Sequence, residues 1–205
     1  MTLALDHLVV VAGSLDEGAL WVEDMLGVSL GIGGRHPDMG TWNRLLSLGP
    51  GQYLEVIAID PDADVPVRAR WFGLDDFEGP PRLGWWVART DDLNASLIAA
   101  PAGMGTPMQL SRGDLAWRMA LPDSGRLPYD GAAPALIEWQ GGRHPTDTLP
   151  ESGCRLERLE IVHPEADALA TEFAGLITVG QVGLSTGEAC RLTASLSTPG
   201  GRRTL

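Results

Sequence analysis

The stretch LDHLVVVAGSLDEGALWVEDMLGV, residues 5–28, contains a strand followed directly by a helix. Its first seven residues form a mainly apolar run that ends in three β-branched valines, which predicts a buried strand. Ser14 and Glu17 have the spacing of a capping box, and Gly27 suits the left-handed residue that ends a helix. The stretch therefore predicts a strand–helix unit.

The next part of the chain predicts a β-hairpin. A glycine-rich turn at residues 31–34 and a polar stretch lead into strand-like runs at 42–48 and 52–59. Gly49-Pro50-Gly51 separates these runs and is typical of a tight turn. Residues 60–81 are rich in Asp, Pro and Gly, which indicates an excursion between units.

The same order of signals recurs further along the chain. A strand is predicted at residues 83–89, a short helix capped by Asp91-Asp92 and ended by Pro101, and strands at 115–121 and 135–140. This recurrence predicts a first module at 1–60, the excursion at 61–81 and a second module at 82–145.

A third onset begins with LERLEIVHPEADALATEFAGLITV, residues 156–179, which matches residues 5–28 in strand, helix and apolar spacing. Pro164 is placed at the first helical position, and Leu169, Phe173 and Leu176 share one helix face. With a strand at 190–197, this predicts a partial third module at 153–205 packed on the same domain.

The repeat favours an α+β fold with a cupped, mainly antiparallel sheet. One alternative is an unrelated α+β protein with three similar strand–helix pieces. A doubly wound parallel sheet is disfavoured, because no G-x-G-x-x-G follows the first strand to bind a dinucleotide phosphate.

Composition narrows the functional classes. The chain has 205 residues, 44% of them apolar, and a net charge of −12, which argues against a nucleic-acid partner. No apolar run is long enough for a membrane helix, and the start of the chain lacks the pattern of a signal peptide, so a cytoplasmic protein is expected. Cys154 and Cys190 have no C-x-x-C neighbour and are interpreted as reduced thiols.

Three ionisable residues stand out because they lie in apolar strands. His7 lies among Leu5, Val9 and Val11, while Glu55 and Glu138 interrupt apolar runs near the ends of the two modules. An unpaired carboxylate is costly to bury, so each needs a cation, a donor or water. A core histidine with its ring hydrogen-bonded is one reading of His7, and convergence of all three residues on one site is the other.

The chain resembles the glyoxalase-like domain family of the vicinal oxygen chelate superfamily. The resemblance rests on LDHLVVV at the start, GGRHPDMGTWNRLLSLGPGQYLEVIAID in the first module, and IEWQGGRHP at the end of the second. It implies a βαβββ module used twice, with the sheets closing into a partial barrel around a divalent metal.

The resemblance also implies a ligand set. His7 matches the first-strand metal ligand, and Glu55 and Glu138 match the last-strand ligands of the two modules. The remaining first-strand position falls near Trp85, which cannot bind a metal. One imidazole and two carboxylates would suit Zn²⁺, Mn²⁺, Fe²⁺, Co²⁺ or Ni²⁺, and no organic cofactor is indicated.

The resulting functional hypothesis is a small-molecule enzyme of the glyoxalase type. The metal would polarise a substrate oxygen, and Glu138 or Glu55 would act as general base in proton transfer, isomerisation or lyase chemistry. Arg35, His36, Asn43 and His144 are predicted to bind substrate, although rigid turns also explain the two His-Pro pairs. Trp85 is also predicted to bind substrate. The candidates for the pocket wall are Trp42, Trp85, Trp86, Trp117 and Trp139.

Two other functions remain open from the sequence. One is a binding protein that sequesters an apolar or aromatic ligand in the same cup, as bleomycin-resistance members of the superfamily do. The other is a scaffold that keeps the fold without activity, with the third module pairing within the chain or across a homodimer.

Overall fold

A computed structural model describes residues 3–174 and 180–205 of the chain. Helices and strands follow one another along the sequence as β1 (Ala4–Val11), α1 (Leu15–Leu26), β2 (Gly31–His36), β3 (Thr41–Ser47), β4 (Tyr53–Ile59), β5 (Arg82–Arg89), α2 (Leu93–Ala99), β6 (Thr106–Arg112), β7 (Leu115–Leu121), β8 (Ala135–Gln140), β9 (Arg155–His163), α3 (Ala166–Glu172), β10 (Val182–Thr186), β11 (Arg191–Thr198) and β12 (Gly201–Thr204). Short 3-10 turns include Pro37–Met39 and Trp71–Asp76.

The main sheet has eight strands in the order β2-β3-β4-β1-β5-β8-β7-β6. Strand β1 is parallel to β4 and antiparallel to β5, and β5 is parallel to β8. Each half of the sheet is thus a βαβββ module, and the two first strands meet at its centre. The sheet curls so that β2 and β6, its outer strands, come into contact. The prediction of a cupped α+β sheet is confirmed.

The first strand and helix form as the sequence predicts. Ser14 accepts a hydrogen bond from the Glu17 backbone N–H, and Gly27 ends the helix with φ of 69°. Leu15, Ala19, Val22 and Leu26 are buried on one face of α1. The helix covers the convex face of the sheet so closely that a Cβ on Gly18 would lie 2.7 Å from the Val56 side chain.

The prediction of a turn at residues 31–34 is wrong, because this segment is strand β2. Pairing skips from Ile32 opposite Arg44 to Arg35 opposite Trp42, so Gly33 and Gly34 together face Asn43. This is a β-bulge, in which two residues oppose one. A Cβ on Gly33 would lie 2.0 Å from the Asn43 carbonyl oxygen, so only glycine fits there. The glycines therefore mark a close approach within a strand.

The third segment forms a second sheet, in the order β10-β9-β11-β12. Its strand β9 pairs in parallel with β10, the strand that follows α3, and antiparallel with β11. In the first two modules the parallel partner of the first strand is instead the last strand of the module. Strand β11 contacts β5, and β12 contacts α1. Helix α3 begins at Ala166, two residues after the predicted Pro164, and Leu176 lies outside the described residues.

Strands β6, β10 and β12 were missed by the sequence analysis. Their sequences are polar or half-exposed, so they lack the buried apolar run that identified the other strands. Within residues 3–174 and 180–205, none of the helices is both long and apolar enough to cross a bilayer.

Candidate active site

Strand alternation brings one set of side chains to the concave face of the main sheet. His7 pairs with Tyr53 and Val9 with Glu55, so these four side chains share that face. We call the pocket on this face the cup. Its lining consists of His7, His36, Asn43, Tyr53, Glu55, Trp71, Phe72, Arg112, Trp117, Met119, Ile137 and Trp139.

A bulge in β1 positions the central histidine. Pairing with β5 breaks between Leu5 and His7, which leaves Asp6 out of the ladder. Neighbouring strand residues normally face opposite sides, but the bulge turns the Asp6 carboxylate toward the His7 ring. Asp6 Oδ1 lies 2.7 Å from His7 Nδ1, and Asp6 is fully buried.

The Asp6 carboxylate has several donors around it. Its Oδ2 accepts a bond of 3.0 Å from Trp139 Nε1 and lies 3.1 Å from His144 Nε2 and 3.6 Å from Arg89 Nη1. Burial alone would raise the pKa of Asp6, but the hydrogen bonds from His144 and His7 outweigh it and hold the pKa well below its usual value. An ionised Asp6 can only accept a hydrogen bond, so His7 carries hydrogen on Nδ1 and presents Nε2 to the cup.

Glu55 faces this nitrogen from the neighbouring strand. Its Oε2 lies 3.6 Å from His7 Nε2, beyond hydrogen-bond length, and its Oε1 accepts a 2.5 Å bond from Asn43 Nδ2. Tyr53 stacks on the His7 ring with a centroid distance of 4.3 Å. The site thus holds an oriented imidazole and an oriented carboxylate with a gap between them.

The second module contributes a guanidinium to the same site. Arg112 on β6 places Nη1 2.9 Å from His36 Nε2 and 2.9 Å from Asn43 Oδ1. Gly34 makes this approach feasible, because a Cβ there would lie 2.7 Å from the Arg112 side chain. The contact joins the two outer strands of the sheet across the mouth of the cup.

His36 is fixed as a neutral ring by its partners. Arginine can only donate, so His36 Nε2 accepts from Arg112 and its Nδ1–H donates to Thr41 Oγ1, 3.2 Å away. Burial, followed by the charge of Arg112, lowers the pKa of His36 to about 3. The lone pair of His36 is therefore engaged by the guanidinium.

Aromatic side chains close the cup. Trp71 donates from Nε1 to Thr41 Oγ1 at 3.2 Å, and Phe72 follows it with a left-handed backbone, φ 58°. Trp117 and Trp139 pack together with a centroid distance of 5.5 Å on the other wall. The cavity that remains has a volume of about 30 Å³, room for one or two water molecules.

The structure brings four of the predicted site residues into the cup, namely His7, His36, Asn43 and Glu55. His144 lies beside it, where its ring contacts Asp6 and packs against Trp139 with a centroid distance of 5.1 Å. Trp85 is on the concave side but in a separate pocket beyond Phe72.

Glu138 and Arg35 are corrections to the predicted site. Ile137 and Trp139 line the cup, so the side chain between them points to the convex face. There Glu138 accepts from the Leu93 backbone N–H at 2.8 Å and pairs with Arg118 at 3.3 Å.

Arg35 is likewise outside the cup. It lies over Trp42 at 5.5 Å and pairs with Asp60 and Asp62, each at 3.0 Å. Its charge is thus engaged on the convex side of the hairpin.

The predicted metal ligands therefore do not assemble. No group of three or more His, Cys, Asp or Glu side chains suited to a metal occurs among the described residues. Ile137 lies in the cup where the second module would need a ligand, and Arg112 adds a fixed positive charge. His7 and Glu55 are the two donors left, and a divalent cation does not fit this set.

Sequence reasoning missed Asp6, Tyr53 and Arg112. The adjacency of Asp6 and His7 in an apolar strand was the available signal, since a buried aspartate requires donors. Arg112 lies in a strand that was not predicted, so no pattern could place its side chain.

Comparison with known proteins is consistent with this architecture. The model of the glyoxalase-like domain family matches residues 5–177. A hypothetical protein from Staphylococcus aureus has a TM-score of 0.67 at 13% identity, with 93% of this chain and 88% of that chain covered. At this identity the likeness shows a shared fold.

Two methylmalonyl-CoA epimerases have lower TM-scores. The Mycobacterium tuberculosis enzyme has a TM-score of 0.41 at 20% identity, covering 66% of this chain and 85% of that one. A variant of the Streptomyces coelicolor enzyme, in complex with 2-nitronate-propionyl-CoA, has a TM-score of 0.45 at 13% identity, covering 71% and 100%. A search of the curated proteins found no match.

Proposed function

The chain belongs to the glyoxalase-like domain family, and from this premise we propose that it is an enzyme that moves a proton at a carbon next to a carbonyl group of a small molecule. One observation carries the proposal. The buried Asp6 carboxylate, 2.7 Å from Nδ1, orients the His7 ring so that its other nitrogen faces Glu55 across the cup.

His7 is the proposed general base. With hydrogen held on Nδ1, the lone pair on Nε2 takes a proton from the substrate carbon, and the electron pair of that C–H bond moves toward the substrate oxygen. Asp6 stabilises the imidazolium that forms. Its ionised state supports this role, since the opposite charges lie in contact away from water.

Glu55 is the proposed proton partner of His7. Its Oε2 lies 3.6 Å from Nε2, and in this proposal it receives the proton from the imidazolium and then returns that proton to the carbon. Asn43 holds the other carboxylate oxygen through a 2.5 Å bond, so the group keeps one orientation. Proton removal and return at one carbon is isomerisation; loss of a leaving group after removal is elimination.

Arg112 is the proposed stabiliser of the developing oxygen charge. Its bonds to His36 and Asn43 use only Nη1, as far as the described residues show. A guanidinium has five N–H donors, so Nε and Nη2 are available for a substrate oxygen. A fixed donor in a site that excludes water stabilises charge without reorganisation. No step requires a metal, in keeping with the donor set.

The test is proton exchange in D₂O. Wild-type protein is incubated with a panel of 2-oxo acids, hydroxy ketones and malonyl-type thioesters, and loss of the C–H signal is followed by proton NMR. His7→Gln and Glu55→Gln should each slow exchange by about 10² to 10⁴-fold. Glu138→Gln is the matched control and should exchange at the wild-type rate.

The proposal fails if His7→Gln exchanges as fast as wild type, or if no compound in the panel exchanges above the rate in buffer. Circular dichroism of each variant separates loss of chemistry from loss of folding.

Sequestration of an apolar ligand is the second candidate, and the aromatic walls of the cup favour it. Under sequestration, a ligand should bind His7→Gln and wild type with equal affinity and should be recovered unchanged. The buried polar groups favour catalysis, because an apolar ligand offers no hydrogen bond that would offset the cost of burying the Asp6 and Glu55 side chains.

A further inference from the structure

A second pocket lies at the start of β5, between that strand and the second sheet. Its volume is about 360 Å³, roughly the size of a small-ligand site. Leu83, Trp85 and Leu192 form apolar parts of its wall, and Arg82, Arg126 and Arg191 add three guanidinium groups. We call it the arginine pocket.

The charge of this pocket differs from that of the chain as a whole. The chain carries a net charge of −12, which repels anions in general. The pocket lining holds three arginines against two carboxylates, Asp76 and Asp130. A local excess of positive charge in an acidic protein is therefore concentrated at one concave surface.

The arginines also differ in how far their charge is already neutralised. Arg126 pairs with Asp76 at 2.8 Å. Arg82 is held over the Phe77 ring at 4.4 Å and donates to the Glu78 carbonyl oxygen at 3.0 Å. Neither Arg82 nor Arg191 forms an ion pair within the described part of the chain. Two guanidinium groups without an ion pair thus line the pocket, against one remaining carboxylate, that of Asp130.

Phe72 forms the boundary between the arginine pocket and the cup, because its side chain lines both. Its ring lies 5.8 Å from Trp71 and 6.0 Å from Trp85. The backbone here is left-handed, with φ 58° at Phe72 and 62° at Gly73, a conformation that side chains larger than glycine rarely adopt.

Contacts from a neighbouring loop hold Phe72 in this conformation. The Gly73 backbone N–H donates to the Gly125 carbonyl oxygen at 3.1 Å. A Cβ on Gly125 would lie 1.9 Å from the Arg70 carbonyl oxygen, so the two loops are in direct backbone contact. These contacts hold Phe72 in a left-handed backbone conformation that costs free energy, at the boundary of the two cavities.

We propose that the arginine pocket binds the carboxylate or phosphate group of an anionic substrate whose reacting carbon extends past Phe72 into the cup. The substrate class depends on the proposed proton transfer, whereas anion binding in the pocket does not. Guanidinium groups suit both anions, since their donors match carboxylate and phosphate oxygens in pairs.

Anion binding is tested by titrating ¹⁵N-labelled full-length protein with inorganic phosphate and, separately, with malonate. The Nε–H signals of Arg82 and Arg191 and the Gly73 amide should shift in wild type. The double variant Arg82→Gln/Arg191→Gln should bind about tenfold more weakly. The control Arg143→Gln removes an exposed arginine that pairs with Asp114 and should bind within twofold of wild type.

Equal weakening in the double variant and in Arg143→Gln would overturn the pocket as the binding site, as would shifts spread evenly over all arginines. Comparing phosphate with malonate tells which oxyanion the pocket prefers. His7→Gln should bind both anions like wild type, because the cup takes no part in this measurement.

A second measurement separates this inference from the proposed chemistry. In the exchange assay, Arg191→Gln should raise KM about tenfold for panel members with an additional carboxylate or phosphate and leave kcat unchanged. If anions bind but nothing exchanges, the proton-transfer function fails and the pocket stands. If exchange occurs equally for charged and neutral compounds and is unaffected by Arg191→Gln, the inference fails and the function stands.

Discussion

The first module lines the cup with His7, His36, Asn43, Tyr53 and Glu55, whereas the second contributes Trp117, Met119, Ile137, Trp139 and a single charge on Arg112. Both modules have the same strand order. The inner faces nevertheless differ in chemistry. The comparison shows that the repeated backbone is maintained by buried apolar positions, which both modules keep, while the inner positions of each module are free to diverge.

The difference gives the two halves complementary parts of one site. The first module, which we call the polar half, can bury its polar side chains because each has a hydrogen-bond partner in the same module or in the second one. The apolar half excludes water from these groups and strengthens every charge interaction between them. A cup with donors from both halves could hold a metal, whereas His7 and Glu55, the two donors left in this cup, both come from the first module.

The largest expected effect comes from breaking the support of the polar half. Asp6→Asn removes a fully buried charge that faces His7, His144 and Trp139. An amide cannot accept from all these donors, so we expect the free energy of unfolding to fall by about 3 to 5 kcal/mol. Urea unfolding measures this.

Asp16→Asn is the matched control for Asp6→Asn. Asp16 is 78% exposed and pairs with Arg44 on the convex face, so its loss should cost less than about 1 kcal/mol. Equal losses of unfolding free energy in the two variants would show that the buried charge of Asp6 does not stabilise the first module.

The next effect is a pH dependence set by His36. Its pKa is about 3 in the folded protein, against about 6.5 in an unfolded chain. The unfolded state therefore takes up a proton that the folded state refuses, and stability falls as the pH drops below about 6.5 toward 3, by about 1.4 kcal/mol per pH unit. Above pH 6.5 the ring is neutral in both states, so this loss of stability is absent.

Comparison with His36→Gln isolates this term, since the amide keeps an acceptor for Arg112 without titrating. Between pH 6.5 and 4.5 the wild type should lose about 2.3 kcal/mol more than the variant. Parallel stability curves would contradict the neutral, guanidinium-bound state of His36.

The sequence predicted more of the polar half than of the cup as a whole. Apolar periodicity identified β1, α1 and the β3–β4 hairpin, because these elements bury one continuous face. It also singled out His7 and Glu55, since ionisable residues in buried strands need partners. Strand β2 was missed because its glycines, which admit Asn43 and Arg112, have the same composition as a turn.

Glu138 shows why the remaining site could not be predicted. It is the fourth residue of β8, whereas Glu55 is the third residue of β4. Faces alternate with every residue, so this difference of one position moves the side chain to the other side of the sheet. Asp6 is the opposite case. Alternation predicts that its side chain faces away from that of His7, but a bulge brings the two side chains into contact.

A third experiment makes the two halves alike. Ile137→Glu places a carboxylate in the cup with His7 and Glu55. The variant then has three potential metal ligands, whereas the first module alone provides two. We expect Zn²⁺ at a hundredfold excess over its Kd to stabilise this variant by about 2.7 kcal/mol, measured as a rise in Tm. Wild type and Ile137→Gln should not respond, and treatment of wild type with EDTA should leave its Tm and exchange rate unchanged.

Stabilisation of the wild type by Zn²⁺ would show that the first module binds a metal by itself. His7 and Glu55 would then act as metal ligands, in place of the acid–base pair proposed above. His7→Ala and Glu55→Ala would then identify its ligands by losing the response.

The smallest effect concerns the contact that Arg112 makes with His36 and Asn43 between the two outer strands of the sheet. Gly34→Ala puts a methyl group where Arg112 Cδ lies only 2.7 Å from the ideal Cβ position, so the guanidinium must leave His36 and Asn43. Because a long side chain can move, the cost in stability should be about 1 kcal/mol. Exchange should still slow about tenfold, since the oxygen-stabilising donor is misplaced. Gly13→Ala adds the same methyl group where the nearest atom is 3.6 Å away, and it should change neither the stability nor the exchange rate. Equal exchange rates in the two variants would mean that Arg112 contributes only packing. The proposed chemistry would then depend on the first module alone.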